Sequence, residues 1–317
     1  MNDYYKPIMI MRKKRKFYHG AINHVYQRTI NGVHLFYCRE DCLVFFTILS
    51  VCARNDGVRV LELCLMHNHI HLLIEAETLQ QLSRFVDHYT AWFVREYNTF
   101  TGRTGKLFKK NFGSAPKWEE KRLRSAIIYI GNNPVEKHFC RKADESRWNF
   151  LQYGLSSRPF SEPLRKSKAT CELKKALKAV DIMVALNLPL KYSQLICLGG
   201  KLCTREQEQL TDYVISRYSA IDHKGLASYF KSYDAMLAAM SVTTGDDYDI
   251  KERRDDFSLE SFSEMTEYLQ GRMARHEIGK VVALPLDDKV RLYDELQKHT
   301  NATGRQICKF LHIREKV

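Results

Sequence analysis

The sequence predicts an α+β fold, with an antiparallel sheet and helices in its first half and a mostly α-helical region after it. Three observations lead to this prediction. Strand and helix patterns alternate through residues 21–133, tight turns join neighbouring strands, and helical patterns continue almost without a break after residue 169. A hairpin over residues 58–77 is expected at the centre of the sheet.

The first half shows strands and helices in the order β-β-α-β-β-α-β-α. Asn31 and Gly32, flanked by β-branched and apolar residues, predict a hairpin over residues 21–37. Asp56 and Gly57 predict the end of the first helix, and Pro134 predicts the end of the last helix or a bend in it. The other elements are predicted as helices at 40–55, 78–97 and 119–133 and as strands at 58–66, 69–77 and 112–116.

The composition changes after the first half. A segment rich in Ser, Pro and basic residues, 156–168, is typical of a linker. We therefore predict two units, residues 1–160 and residues 161–317. The end of the chain, from Asp287, predicts two helices, the second of which resembles the second helix of a helix-turn-helix motif. Few residues remain for a recognition helix. This half could therefore bind DNA next to the cleavage site, bind a partner, be a truncated or decayed DNA-binding domain, or be a helical module of another kind.

Charge and hydropathy restrict the class of protein. The formal charge is +13, and residues 1–150 hold 24 Lys or Arg against 14 Asp or Glu. A polyanion is therefore the favoured partner of the first half, although its densest basic run, residues 12–16, could also be a solvated arm. No apolar run is long enough to span a membrane, and residues 1–10 lack the apolar core of a signal peptide. We therefore expect a cytoplasmic protein with no membrane partner.

The chain has nine cysteines, an odd number, and no two of them show the spacing C-x-x-C. A zinc ribbon or a redox motif is therefore not expected. We predict that most of the cysteines are small buried side chains in a reducing compartment.

A histidine pair is the first candidate for chemistry. Side chains alternate along a strand, so His69 and His71 point to one face, while the Ile and Leu residues between and after them point to the other. Two such imidazoles, about 6–7 Å apart at Cα, can reach one divalent ion. Two polar histidines on an exposed sheet face are the alternative. The apolar opposite face, and His67 as a third imidazole of the same parity, weigh against it.

A tyrosine on the last helix of the first half is the second candidate. Tyr129 and Asn133 are four residues apart and share a helix face. A phenol is a poor nucleophile at neutral pH because its pKa is near 10, but a metal that draws charge from a phosphodiester makes the attack feasible. A covalent phosphotyrosine would keep the energy of the broken bond for rejoining. Simple packing at a helix end is the alternative, since the chain has 17 tyrosines.

Together these segments resemble the single-tyrosine HUH transposases, and most closely the REP-associated tyrosine transposases. The resemblance covers roughly residues 15–160, and it depends on the order of several blocks, each of which is weak alone. The blocks are His24 and Val25 with Arg28 and Thr29; 66–73; 105–110 with Phe112; 129–135; and 148–150 with Tyr153. One departure is His67, where the family commonly has proline. This residue could add a ligand, orient substrate or cap the turn.

The resemblance implies a ferredoxin-like nuclease domain and a role for each matching residue. Tyr129 would be the nucleophile, His69 and His71 the metal-binding pair, and Asn133 a further ligand. The metal would be Mg or Mn. Single-stranded or hairpin DNA would be cut to leave a 5′-phosphotyrosine on the protein and a free 3′-hydroxyl on the DNA. The candidate DNA-binding residues are Arg12, Lys13, Lys14, Arg15, Lys16, Arg28, Lys106, Lys109, Lys110 and Arg122.

Three functions are compatible with these observations. The first is a transposase that nicks and rejoins DNA, either alone or as a homodimer in which the tyrosine serves its own metal site or a partner's. The second is a catalytically silent or domesticated descendant that recognises DNA hairpins or repeats without cutting. The third is a regulator that binds duplex DNA through the C-terminal helices and dimerises through the first half. The presence of all the key residues favours the enzyme.

Overall fold

A four-stranded antiparallel sheet with three helices forms the first half of the chain in the computed structural model, which describes residues 16–109, 112–165, 167–242 and 259–314. The strands are β1 (Ile22–Arg28), β2 (Arg59–Met66), β3 (His69–Glu75) and β4 (Gly113–Lys117). The helices are α1 (Arg39–Asp56), α2 (Leu79–Thr101) and α3 (Glu120–Glu136). The spatial strand order is β2-β3-β1-β4, which is the ferredoxin-like arrangement of a β-α-β-β-α-β unit. The predicted α+β fold class is confirmed.

Local sequence signals explain where these helices begin and end. Gly57 takes the left-handed conformation after α1, with φ of 66°, which glycine adopts without steric cost. Thr78 caps α2, because its side chain accepts a hydrogen bond from the backbone N–H of Gln81. Pro134 lies within the last turn of α3 and does not end the helix before it.

The hairpin predicted over residues 21–37 is wrong in its second strand. Asn31 does adopt a turn conformation, with φ of 58°, but the chain after it does not return along β1. His34 N–H donates to the carbonyl of Lys309 at 3.1 Å, and Leu35 N–H donates to that of His67 at 2.7 Å. Both edges of β1 are already paired, one with β3 and the other with β4, so no edge is left for a hairpin partner.

The hairpin predicted over residues 58–77 is present, but it does not lie at the centre of the sheet. β1 and β3 are the central strands, and β2 is an edge strand. The two faces of the sheet are both covered. One packs on α1 and α2 through Ile70, Leu72 and Ile74, and the other packs on α3. The histidine strand is therefore buried on both sides.

Glu62 places a carboxyl group in the interior, on β2 opposite Leu73. The residue is 1% exposed, and neither carboxylate oxygen has a hydrogen-bond partner among the described residues. Burial raises the pKa of this group well above its ordinary value. The folded protein therefore holds a proton that the unfolded chain releases, and stability falls as the pH rises from the unfolded pKa toward the folded one.

We expect the substitution Glu62→Gln to remove this pH dependence, which amounts to about 1.4 kcal/mol per pH unit over that range. The variant should be more stable than the wild type at pH 8, and this advantage should shrink at pH 5. Thermal unfolding at the two pH values measures the difference. An advantage of equal size at both would show that Glu62 is not the titrating group.

The second half of the chain is helical, as predicted. Its helices are α4 (Cys171–Ala185), α5 (Tyr192–Gly199), α6 (Thr204–Tyr218), α7 (His223–Ala227), α8 (Tyr233–Val242), α9 (Leu259–Gln270), α10 (Leu286–His299) and α11 (Gly304–Leu311). A 3-10 segment, Arg275–Ala283, precedes α10. No helix in the described ranges is long and apolar enough to cross a membrane.

The two halves share one buried cluster of side chains. The Tyr192 hydroxyl donates to the Asp41 carboxylate at 2.7 Å, and Arg54 donates to the carbonyl of Tyr218 at 2.8 Å. Five of the nine cysteines are buried, and these nine, all within the described residues, form no disulfide. Because the halves pack so closely, removing residues 161–317 would uncover apolar surface on α1. The division at residue 160 stays a prediction.

The helix α11, near the end of the chain, packs inside the protein. Thr303 caps α11 by accepting a hydrogen bond from the backbone N–H of Gln306. Residues 306–311 are all buried, and the carbonyl of Phe310 accepts a hydrogen bond from the Tyr37 hydroxyl. α11 therefore lies against the segment that follows β1.

Candidate nuclease site

The candidate site lies on the face of the sheet that α3 covers. In the pairing of β1 with β3, Tyr26 is opposite His71 and Arg28 is opposite His69, so all four share this face. Tyr129 of α3 packs over it and is 3% exposed. The predicted nucleophile and the predicted metal-binding pair therefore meet at one place, inside a single chain.

Short distances connect the four predicted site residues. The imidazole rings of His69 and His71 are 4.9 Å apart between centroids. His69 Nε2 lies 3.3 Å from Asn133 Oδ1, and the His71 ring lies 5.6 Å from the Tyr129 ring. Asn133 thus faces the histidine strand, as its spacing from Tyr129 predicted.

Asn68 orients the His69 ring. Its side-chain Nδ2 donates to the carbonyl of Gly32 at 3.3 Å, so its Oδ1 faces His69 Nδ1, at 2.6 Å. This oxygen can only accept, so the arrangement assigns a proton to Nδ1, and in the neutral ring Nε2 then carries the lone pair. A neighbour that fixes the tautomer of a histidine is typical of metal sites.

His24 is a residue of the site that the sequence analysis did not identify as functional. Its Nε2 lies 3.0 Å from His71 Nδ1, and its ring is 5.8 Å from the Tyr129 ring. It therefore sits between a predicted ligand and the predicted nucleophile. Its parity with Tyr26 and Arg28 on β1 was visible in the sequence, but the pairing of β1 with β3 was not.

Two basic residues, Arg28 and Lys137, lie near the site. Burial, the neighbouring His69 and His24, and the charges of Arg28 and Lys137 hold the pKa of His71 well below its ordinary value. At neutral pH this imidazole is therefore uncharged, which is the form that binds metals. Lys137, at the end of α3, is a basic residue near the site that the sequence analysis did not name.

His67 lies to one side of the group formed by His69, His71 and Tyr129. Its ring is 5.5 Å from the Phe139 ring and 5.9 Å from the His34 ring, and it is 6.2 Å from the His69 ring. It is also 7% exposed. It lines a cavity next to this group, between the two halves of the chain.

The side chains of this face supply a small set of metal donors. No group of three or more His, Cys, Asp or Glu is placed to hold a metal within the described ranges. The donors that the site offers are two imidazoles and one amide oxygen, from His69, His71 and Asn133. None of the three carries a negative charge, so such an ion would also need oxygens from water or from a phosphate.

Residues 3–133 match the family model described as "Transposase IS200 like". The first part of this chain matches the IS200-like transposases. The matched range contains all four strands, both histidines of β3, Tyr129 and Asn133, so the resemblance inferred from the sequence is confirmed at the level of this family. The match supports a DNA-processing role of the transposase type.

A solved structure described as "Structure of the REP associates tyrosine transposase bound to a REP hairpin" is similar to this chain at 13% sequence identity, with a TM-score of 0.37. The similarity covers 46% of this chain and 86% of that chain, and at this level it is not evidence for a function. No curated protein matches the chain.

Of the candidate DNA-binding residues, one lies at the site and the others that the structure describes lie on the surface. Arg28 lies at the site, and Lys16, Lys106 and Lys109 are exposed. Arg122 is half-exposed, forms an ion pair with Glu119 at 3.1 Å and lies over the Trp118 ring. The remaining candidates, Arg12, Lys13, Lys14, Arg15 and Lys110, lie outside the described residues.

Proposed function

We propose that this protein is a metal-dependent transposase that cuts and rejoins single-stranded DNA, with hairpin-containing DNA as its substrate, through a 5′-phosphotyrosine on Tyr129. One observation carries the proposal: Tyr129 lies beside His69, His71 and Asn133 in one site of an IS200-like region. All four come from the same chain, so this arrangement does not require a homodimer.

Mg or Mn would be held by His69 Nε2, His71 Nε2 and Asn133 Oδ1. In the neutral His69 ring with its proton on Nδ1, Nε2 and Asn133 Oδ1 are both electron-pair donors, and they lie 3.3 Å apart. One cation could accept an electron pair from each of them. When bound, the ion draws charge from the scissile phosphate.

The protein residues would carry out the transfer. Tyr129 Oη attacks the phosphorus and loses its proton to the surroundings. The bond from phosphorus to the 3′ oxygen breaks, and this oxygen takes up a proton as the free 3′-hydroxyl. Arg28 and Lys137 attract the phosphate to the site. Attack of a 3′-hydroxyl on the phosphotyrosine reverses the step and rejoins a strand.

Incubating the full-length protein with labelled hairpin DNA, with and without Mg or Mn, tests this function. An adduct that resists SDS and needs the metal supports the transposase. Hairpin binding without any adduct would instead favour a catalytically silent DNA-binding protein. Preference for duplex over hairpin DNA would favour a regulator.

His24 should act as a positioning residue for His71. We expect His24→Ala to weaken Mn binding about 10-fold or more, because a group that orients a ligand typically contributes 10- to 100-fold to metal affinity. His24→Gln places an amide near the former Nε2 position and should lose less. Calorimetry with Mn in the absence of DNA measures both. Unchanged affinity in the alanine variant would contradict this role.

A further inference from the structure

A cavity of about 550 Å³ lies between the two halves of the chain, directly beside the proposed site. Met66, the last residue of β2, and His67, two residues before His69, line it. Pro134, which follows Asn133, lines it from α3. The volume is in the range of small-ligand sites, and the position is within reach of a DNA strand held at Tyr129.

Aromatic side chains form much of the cavity wall. Phe36, Phe139, Trp148 and Phe262 all contribute to it. The His34 ring stacks on Phe262, with 3.5 Å between centroids and 22° between planes. Such surfaces bind the flat faces of nucleobases, and they do so for every base because every base has a π-face.

Two residues of the same wall each have a buried hydrogen-bonding atom without a partner among the described residues. Thr266 is 7% exposed, and its hydroxyl has no hydrogen-bond partner among the described residues. The same is true of Arg147 Nε, also a buried atom. Because an unsatisfied buried polar group costs free energy, a ligand whose polar edge reached these two atoms would be favoured.

The charges of the cavity favour a neutral ligand over a phosphate. Arg39 and Arg147 both form ion pairs with Glu208 of α6, and Arg147 also lies 3.5 Å from Asp212. The two guanidinium groups are therefore held in place and largely neutralised. A nucleobase, which is flat, uncharged and polar at its edge, fits this combination.

We propose that this cavity binds an unstacked base of the single strand next to the cleavage position. The aromatic wall stacks on the base, and Thr266 Oγ1 and Arg147 Nε bind its edge. Thr266 belongs to α9, in the second half of the chain. The second half therefore contacts a base of the DNA strand that the site in the first half cuts. This inference rests on the proposed function.

Fluorescence of 2-aminopurine tests the proposal. The base replaces one nucleotide at a time in the single-stranded flanks of a hairpin oligonucleotide, which is bound to full-length Tyr129→Phe protein so that the DNA stays intact. We expect quenching by stacking at one position, or at two neighbouring ones. Adding Trp148→Ala should remove this quenching and weaken binding about tenfold.

Base preference gives a second measurement that does not depend on Trp148. Competition among oligonucleotides with each natural base at the quenched position should show a preference in the parent protein. Thr266→Val, which replaces the hydroxyl by a methyl group, should weaken that preference. Thr266→Ser, which keeps the hydroxyl, should retain it. Thr204→Val, at an exposed position outside the cavity, is the matched control.

The outcomes separate this inference from the proposed function. Hairpin binding without quenching at any position would contradict the binding of a base in the cavity, but not the proposed function. A base preference that Thr266→Val leaves unchanged would have the same meaning. Failure of the protein to bind hairpin DNA at all contradicts both.

Discussion

Replacing Tyr129 by Phe should abolish the covalent adduct with DNA and leave hairpin binding unchanged. Only one hydroxyl is lost, and the ring that packs against His24 and His71 is kept. Without the phenol oxygen no phosphotyrosine can form. Denaturing gels with end-labelled DNA measure the adduct, and fluorescence anisotropy measures the binding.

Tyr26→Phe is the matched control for this experiment. Tyr26 lies on the same face of the sheet, opposite His71, and is 39% exposed. It is therefore an alternative nucleophile on geometric grounds. We expect the Tyr26 variant to form the adduct as the wild type does. Adduct in the Tyr129 variant and none in the Tyr26 variant would move the nucleophile to β1.

Removing the histidine pair should have a similarly large effect on cleavage. We expect His69→Ala, His71→Ala and the double variant each to lower adduct formation by more than about 100-fold, because loss of a direct ligand should exceed the 10- to 100-fold loss typical of an outer partner. Hairpin binding should persist through the basic surface. Calorimetry with Mn should show the matching loss of metal affinity.

Asn133→Ala provides a graded comparison, because an amide oxygen is a neutral and weaker ligand than a second imidazole. Its effect should be smaller than that of either histidine variant. Unchanged Mn affinity in the double histidine variant would contradict the metal assignment, even if cleavage were lost.

Features set by local sequence could be predicted. The end of α1 at Gly57, the cap of α2 at Thr78 and the shared face of His69 and His71 each depend on neighbouring residues. The spacing of Tyr129 and Asn133 likewise placed both toward one side of α3. The histidine pair and the tyrosine helix also belong to the ordered blocks that carry the family resemblance.

Features that depend on distant pairing could not be predicted. Asn31 adopts the expected turn conformation, but this turn does not determine that β1 pairs with β3 and β4. Because the pairing of β1 with β3 was not predicted, the contact between His24 and His71 was not predicted either. The cavity beside the site has the same origin, because Phe36 and Thr266 meet there only after α9 packs on the first half.

Mapping the attachment site of the DNA tests the central claim most directly. The adduct formed with hairpin DNA and Mn is digested with nuclease and trypsin, and the peptides are analysed by mass spectrometry. We predict a 5′-linked nucleotide on the tryptic peptide 125–137, in which Tyr129 is the single tyrosine. A nucleotide on peptide 17–28, which contains Tyr18 and Tyr26, or on any other peptide would contradict the account.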